Sequence, residues 1–145
     1  MKKLLLICLA AFAAASCTQE KQQSKPLYMW FDCEGNYATL SHPDSIRYYV
    51  SKIHDMGFTD VVVDVKSIMG ETLYKSDIAP YMGEWDGVTR PENYDLLGYF
   101  IEEGHKLGMR VHGSLNVFAG GHNFFDRGII YGDHADWQSQ GYTEG

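Results

Sequence analysis

The chain has 145 residues, with 12 Lys and Arg against 19 Asp and Glu, for a net charge of −7. That balance offers no basic face to a phosphate backbone, which excludes nucleic acid as a partner, and it gives no electrostatic hold on anionic lipid. An acidic chain that is 14% aromatic suits a neutral, hydroxyl-rich ligand such as a sugar.

Residues 1–16 carry the order of segments that marks a secretory signal: Lys2 and Lys3, an uncharged apolar run from Leu4 to Ala15, then small residues. The run is too short for a permanent membrane span. Ala14-Ala15-Ser16-Cys17 predicts a bacterial lipobox, with Cys17 as the lipidated residue of the mature chain. Lys2 and Lys3 are the only charges in residues 1–16, so their removal takes the net charge from −7 to −9. Cys8 leaves with the signal and Cys17 carries lipid, so Cys33 remains alone and no internal disulfide forms. The expected location is exported and lipid-anchored, at the outer membrane, since Thr18 is not the aspartate of inner-membrane retention.

Residues 17–26 are polar and Gln-rich and predict a tether. The domain is expected over residues 27–145. Tyr28–Glu34 reads as an aromatic strand broken by Gly35-Asn36. Ser41-His42-Pro43-Asp44 is a helix start with Ser41 as the cap. Ile46, Tyr49, Val50, Ile53 and Met56 then fall at helical spacing, and Gly57 is the stop. Thr59–Lys66 is a β-branched run suited to a strand buried on both faces of a parallel sheet. Residues 67–91 read as a long loop, Asn93–Leu107 as a second helix, and Arg110–Phe118 as a third strand. His54-Asp-Met-Gly57 and His105-Lys-Leu-Gly108 form a weak repeat ahead of strands two and three. The alternation predicts an α/β fold with parallel strands, either an open doubly wound sheet or a closed barrel. No Gly-rich loop follows strand one, which counts against a dinucleotide fold.

In such folds the C-terminal strand ends carry function. Asp32 and Glu34, Asp64 and Lys66, and Ser114 and Asn116 each share a parity on their strand, so each pair shares a face. Together they predict a mouth of acids, a lysine and an amide that suits a polar substrate. The competing structural readings are an Asp64–Lys66 ion pair, loop capping by Asp32 or Glu34, a loop hydrogen bond from Asn116, a satisfied core histidine at 112 and a core-filling Cys33. Glu71, Tyr74, Tyr81 and Trp85 in the second loop supply aromatic faces for sugar rings or a cover for the rim. His122 near Asp126 gives too few ligands for a metal site. No CxxC pair, HExxH, GxSxG or P-loop is present, so no metal or cofactor is expected.

Several segments in order, Trp30–Glu34, Gly57–Lys66, Gly70–Tyr74, Tyr94–Glu103 and Arg110–Asn116, resemble the glycosyl-hydrolase-like 10 family of bacterial secreted proteins and lipoproteins. The resemblance implies a TIM barrel acting on glycosidic bonds of an extracytoplasmic polysaccharide or oligosaccharide. By it, Asp32, Glu34 and Asp64 are the candidate catalytic carboxylates, and Lys66, Asn116, Glu71, Tyr74, Trp85 and His122 the candidate substrate-binding residues. A (β/α)8 barrel takes ~200 residues or more. The chain is therefore expected to be the N-terminal βαβαβ portion of a truncated barrel, short of the second carboxylate that glycosidases use. The alternative expectation is a lipoprotein that holds glycan without cutting it.

Overall fold

The β-branched run at the centre of the chain sets the architecture. In the computed structural model, which describes residues 25–139 and 141, it forms β2 (Asp60–Lys66). This strand lies between β1 (Tyr28–Phe31) and β5 (Arg110–Leu115), and both pair with it in parallel. The register aligns Trp30, Val62 and His112 across the three strands. Export and lipidation at residues 1–17, and most of the tether, lie outside the described residues.

Side-chain alternation divides β2 between two environments. Val61, Val63 and Val65 are buried and join the core with Ile46, Val50, Ile53, Leu96 and Phe100. Those partners come from α1 (Pro43–Asp55) and α2 (Leu96–Lys106). Each fully buried valine contributes on the order of 1.5–3 kcal/mol. The other face of the sheet is open: Tyr28 is 53% and Trp30 59% exposed. The strand is therefore buried on one face, not on both.

The helices start and stop by local chemistry. His42 precedes α1 without capping it, while Pro43 takes the first turn and Asp44 faces the positive helix end. Ser41 is no cap, because its hydroxyl donates to the Tyr37 carbonyl and accepts from Arg90 Nε. Gly57 leaves α1 in the left-handed region, with φ of 92°. The second helix starts later than expected. The Asp95 carboxylate accepts from Gly98 N at 3.0 Å, so residues 93–95 stay outside it.

Residues 67–91 are more ordered than a loop. Thr72 bridges to both Lys66 and Tyr81. A hairpin of β3 (Glu84–Trp85) and β4 (Val88–Thr89) follows, turned at Asp86 and Gly87. Both turn residues have positive φ, 49° and 76°, the pattern of a two-residue type I′ turn. Beneath the hairpin, the buried Arg90 guanidinium stacks on Tyr37 at 3.6 Å. Tyr37 Oη donates to the Met82 carbonyl at 2.8 Å, and Tyr94 Oη to that of Leu40 at 2.6 Å. These bonds pin the segment after β1 to the residues that flank the hairpin on either side. A short turn of helix, α3 (Ile129–Gly132), and a 3-10 turn over Ala135–Trp137 follow near the end of the described residues.

Candidate functional site: a recess at the strand ends

The C-terminal ends of the three parallel strands surround a recess of about 610 Å3. Trp30, Asp64 and Ser114 form its floor, with Asp32, Glu34, Lys66, Asn116 and Trp85 around them. Of the expected site residues, Asp32, Glu34, Asp64, Lys66, Asn116 and Trp85 are therefore brought together. They do not arrive there as period-two alternation predicted. The first strand ends at Phe31, so Asp32 and Glu34 sit in the following turn. The last strand ends at Leu115, and a register shift sets Lys66 opposite Leu115 instead of Asn116.

Each carboxylate of the recess carries a structural hydrogen bond. Asp32 Oδ1 accepts from Gly35 N at 2.8 Å and closes the turn after β1. Glu34 Oε2 accepts from Ile68 N at 3.0 Å and ties that turn to the loop after β2. Asp64 Oδ2 accepts from the Trp30 indole at 2.9 Å. Partial burial raises the Glu34 pKa, and the Ile68 amide opposes the shift.

Lys66 forms no ion pair with Asp64. Its ammonium donates to the carbonyls of Asn116, Val117 and Ala119 at 2.8, 3.1 and 2.5 Å. All three donors are thus spent on the loop after β5, and burial lowers the Lys66 pKa. From its place in the recess lining, Lys66 thereby holds Asn116 at the rim.

Three expected binding residues lie elsewhere. Glu71 forms a two-pronged pair with Arg127, at 2.9 and 2.7 Å, that joins the loop after β2 to the segment after β5. Tyr74 packs against the core. His122 Nδ1 accepts from Phe124 N, and the residue lines a separate hollow beside Gly120 and Tyr131. His112 is no core residue: its exposed ring reaches Asp60 at 2.8 Å. Cys33 is buried, and burial pushes its thiol up to about 12, leaving it an unreactive core atom at neutral pH. Among the described residues no three His, Cys, Asp or Glu gather as a metal site.

Sequence reasoning missed the support of Trp85. Its ring packs edge-on against Phe125 with centroids 4.9 Å apart, and Arg127 lies over it at 5.9 Å. Arg127 Nη1 also donates to the Glu84 carbonyl at 3.1 Å. The Asp-Gly pair at 86–87 was the available signal for the hairpin that carries this ring.

No protein-family model matches the chain. It is 27% identical, over 125 residues, to an S-layer-related protein of Niallia circulans; the match covers 82% of this chain. The chain spans about 8% of that relative's length. These findings overturn the resemblance to the glycosyl-hydrolase-like 10 family. The relative's description names a surface layer and no glycosidase, so the expectation of glycosidic-bond cleavage by Asp32, Glu34 and Asp64 is corrected as well. The description agrees with the coarse expectation that this chain is an exported protein.

Proposed function

We propose that this chain is part of an exported cell-surface protein with a structural role, and that the recess at the strand ends is where it grips a carbohydrate partner. The observation that carries the reading is the joint presence of two tryptophans, three carboxylates and an amide around one 610 Å3 hollow. Indole faces stack on the CH faces of sugar rings, while carboxylates and amides satisfy hydroxyls. A site of this kind fixes a ligand by shape and hydrogen bonding and needs no leaving group. The finer placement, lipid on Cys17 and residence at the outer membrane, belongs to the same proposal, as does the view of the sheet as the first strands of a closed barrel.

Cosedimentation of the full chain with purified cell-envelope polysaccharide tests the reading. Saturable binding that Trp30→Ala abolishes, without release of reducing ends, is the expected result. Equal pelleting of wild type and Trp30→Ala overturns it. Fractionation of cells carrying Cys17→Ala, with labelled palmitate, tests the anchor: label and membrane retention are both expected to be lost.

A further inference from the structure

The recess does not end at Trp85. A second cavity of about 470 Å3 lies beyond it, between the segment after β1 and the β3–β4 hairpin. Asn36, Thr39, Asp86 and Phe125 line it, and it shares Glu34, Gly35 and Trp85 with the first. We infer that the two cavities are consecutive subsites for one linear saccharide chain, which crosses Trp85 from one hollow to the other. This rests on the carbohydrate-binding reading above and specifies the ligand's form.

Three observations support the inference. First, the cavities share walls, so a ligand filling either one touches Trp85 and Glu34. Second, Trp85 is held before any ligand arrives. Phe125 fixes one edge of the ring, and Arg127, itself clamped by Glu71, fixes its strand through the Glu84 carbonyl. A ring already fixed loses little conformational freedom on binding. Third, the acceptors continue across the boundary. Asp32, Glu34 and Asp64 on one side and Glu34 and Asp86 on the other repel a polyanion and accept from hydroxyls.

An extended peptide is the competing linear ligand. It would need a free strand edge or a polyproline groove to satisfy its backbone. The lining offers carboxylates, the Asn36 amide, the Thr39 hydroxyl and ring faces, which match hydroxyl-bearing rings better.

Calorimetry of the full chain against glucose, mannose and N-acetylglucosamine oligomers of one to six units tests the inference. A second unit tethered to a bound first one experiences a high effective concentration, so affinity should rise at least about tenfold once the chain spans both hollows, then level off. Ala38→Trp fills the second cavity from an exposed position and should return the longest oligomer to the affinity of the shortest, with an unchanged melt. If short and long oligomers bind alike and Ala38→Trp changes nothing, the second subsite is wrong and the carbohydrate site stands. If no oligomer of any length binds, both fall. Tighter binding of an extended Pro-rich peptide, competed by no oligomer, also overturns the saccharide assignment.

Discussion

The indole nitrogen of Trp30 donates to Asp64 Oδ2 at 2.9 Å, joining neighbouring parallel strands across the floor of the recess. The ring is 59% exposed, so it adds little to the core and presents a broad face to whatever enters. Its orientation is set by Asp64, and the Asp64 carboxylate is oriented in return. Trp30→Phe keeps an aromatic surface and removes the donor. It should cost about 1 kcal/mol or less in urea unfolding, the usual worth of one exposed hydrogen bond. Carbohydrate affinity should fall about tenfold in calorimetry, because both the ring and the carboxylate lose their fixed orientation. Wild-type affinity in this variant would mean that the ligand does not rest on the floor.

Lys66 makes a second prediction because all its donors are occupied. Its ammonium gathers the carbonyls of Asn116, Val117 and Ala119, and methionine matches its length without the charge. Lys66→Met should destabilise the protein by about 1–3 kcal/mol, leaving carbonyls short of a charged donor. Amide exchange should rise in residues 117–121 far more than in β2. A rise confined to β2 would show that Lys66 supports its own strand and not the loop.

These two residues also show where sequence patterns stop being informative. The valines at 61, 63 and 65 and the apolar positions of α1 repeat at short intervals, so their faces follow from periodicity alone. Asp32 and Glu34 continue an aromatic run, and nothing local distinguishes a strand from the turn that the Asp32 side chain closes onto Gly35. Lys66 and Asn116 lie 50 positions apart, and their relation depends on a register shift that no single strand records. Long-range pairs such as Glu71–Arg127 are invisible for the same reason. The Asp86-Gly87 turn was readable, because few residue pairs adopt two successive positive φ values. Five of the nine expected site residues share the recess because they lie at or just beyond the converging strand ends, whatever the exact register, and Trp85 joins them from the hairpin.

Glu34 should make stability fall as pH rises. Burial raises its folded pKa above the ordinary glutamate value, so the folded chain holds the proton more tightly than the unfolded chain. Its contribution is complete below the ordinary value and is lost as pH climbs through the raised one. Glu34→Gln keeps an oxygen for Ile68 N and removes the charge. The variant should match or exceed the wild-type melting temperature at pH 7 and show a flatter profile over the acidic range. A lower melting temperature at pH 7 would mean that the charge itself strengthens the Ile68 contact.

Asp60 should act in the opposite sense. Its buried carboxylate accepts from Arg110 Nε and Nη2, both at 2.7 Å, from the Thr59 hydroxyl at 2.6 Å, and from His112 Nε2 at 2.8 Å. The Arg110 guanidinium, above all, holds its pKa well below the ordinary aspartate range, with Thr59 and His112 adding to the effect against desolvation. The folded chain therefore releases this proton more readily than the unfolded one. The resulting stabilisation is complete above the ordinary aspartate value and is lost as pH falls through the depressed one. Asp60→Asn should lower the melting temperature at pH 7 more than Asp32→Asn does, since Asp32 is exposed and accepts from a single local amide. Its penalty relative to wild type should shrink as pH drops from about 4 towards 2, where the unfolded wild type takes up the proton that the folded chain still releases and the linkage advantage declines. A penalty constant over that range would show that the Arg110 pair contributes through shape and hydrogen-bond count, not through ionisation.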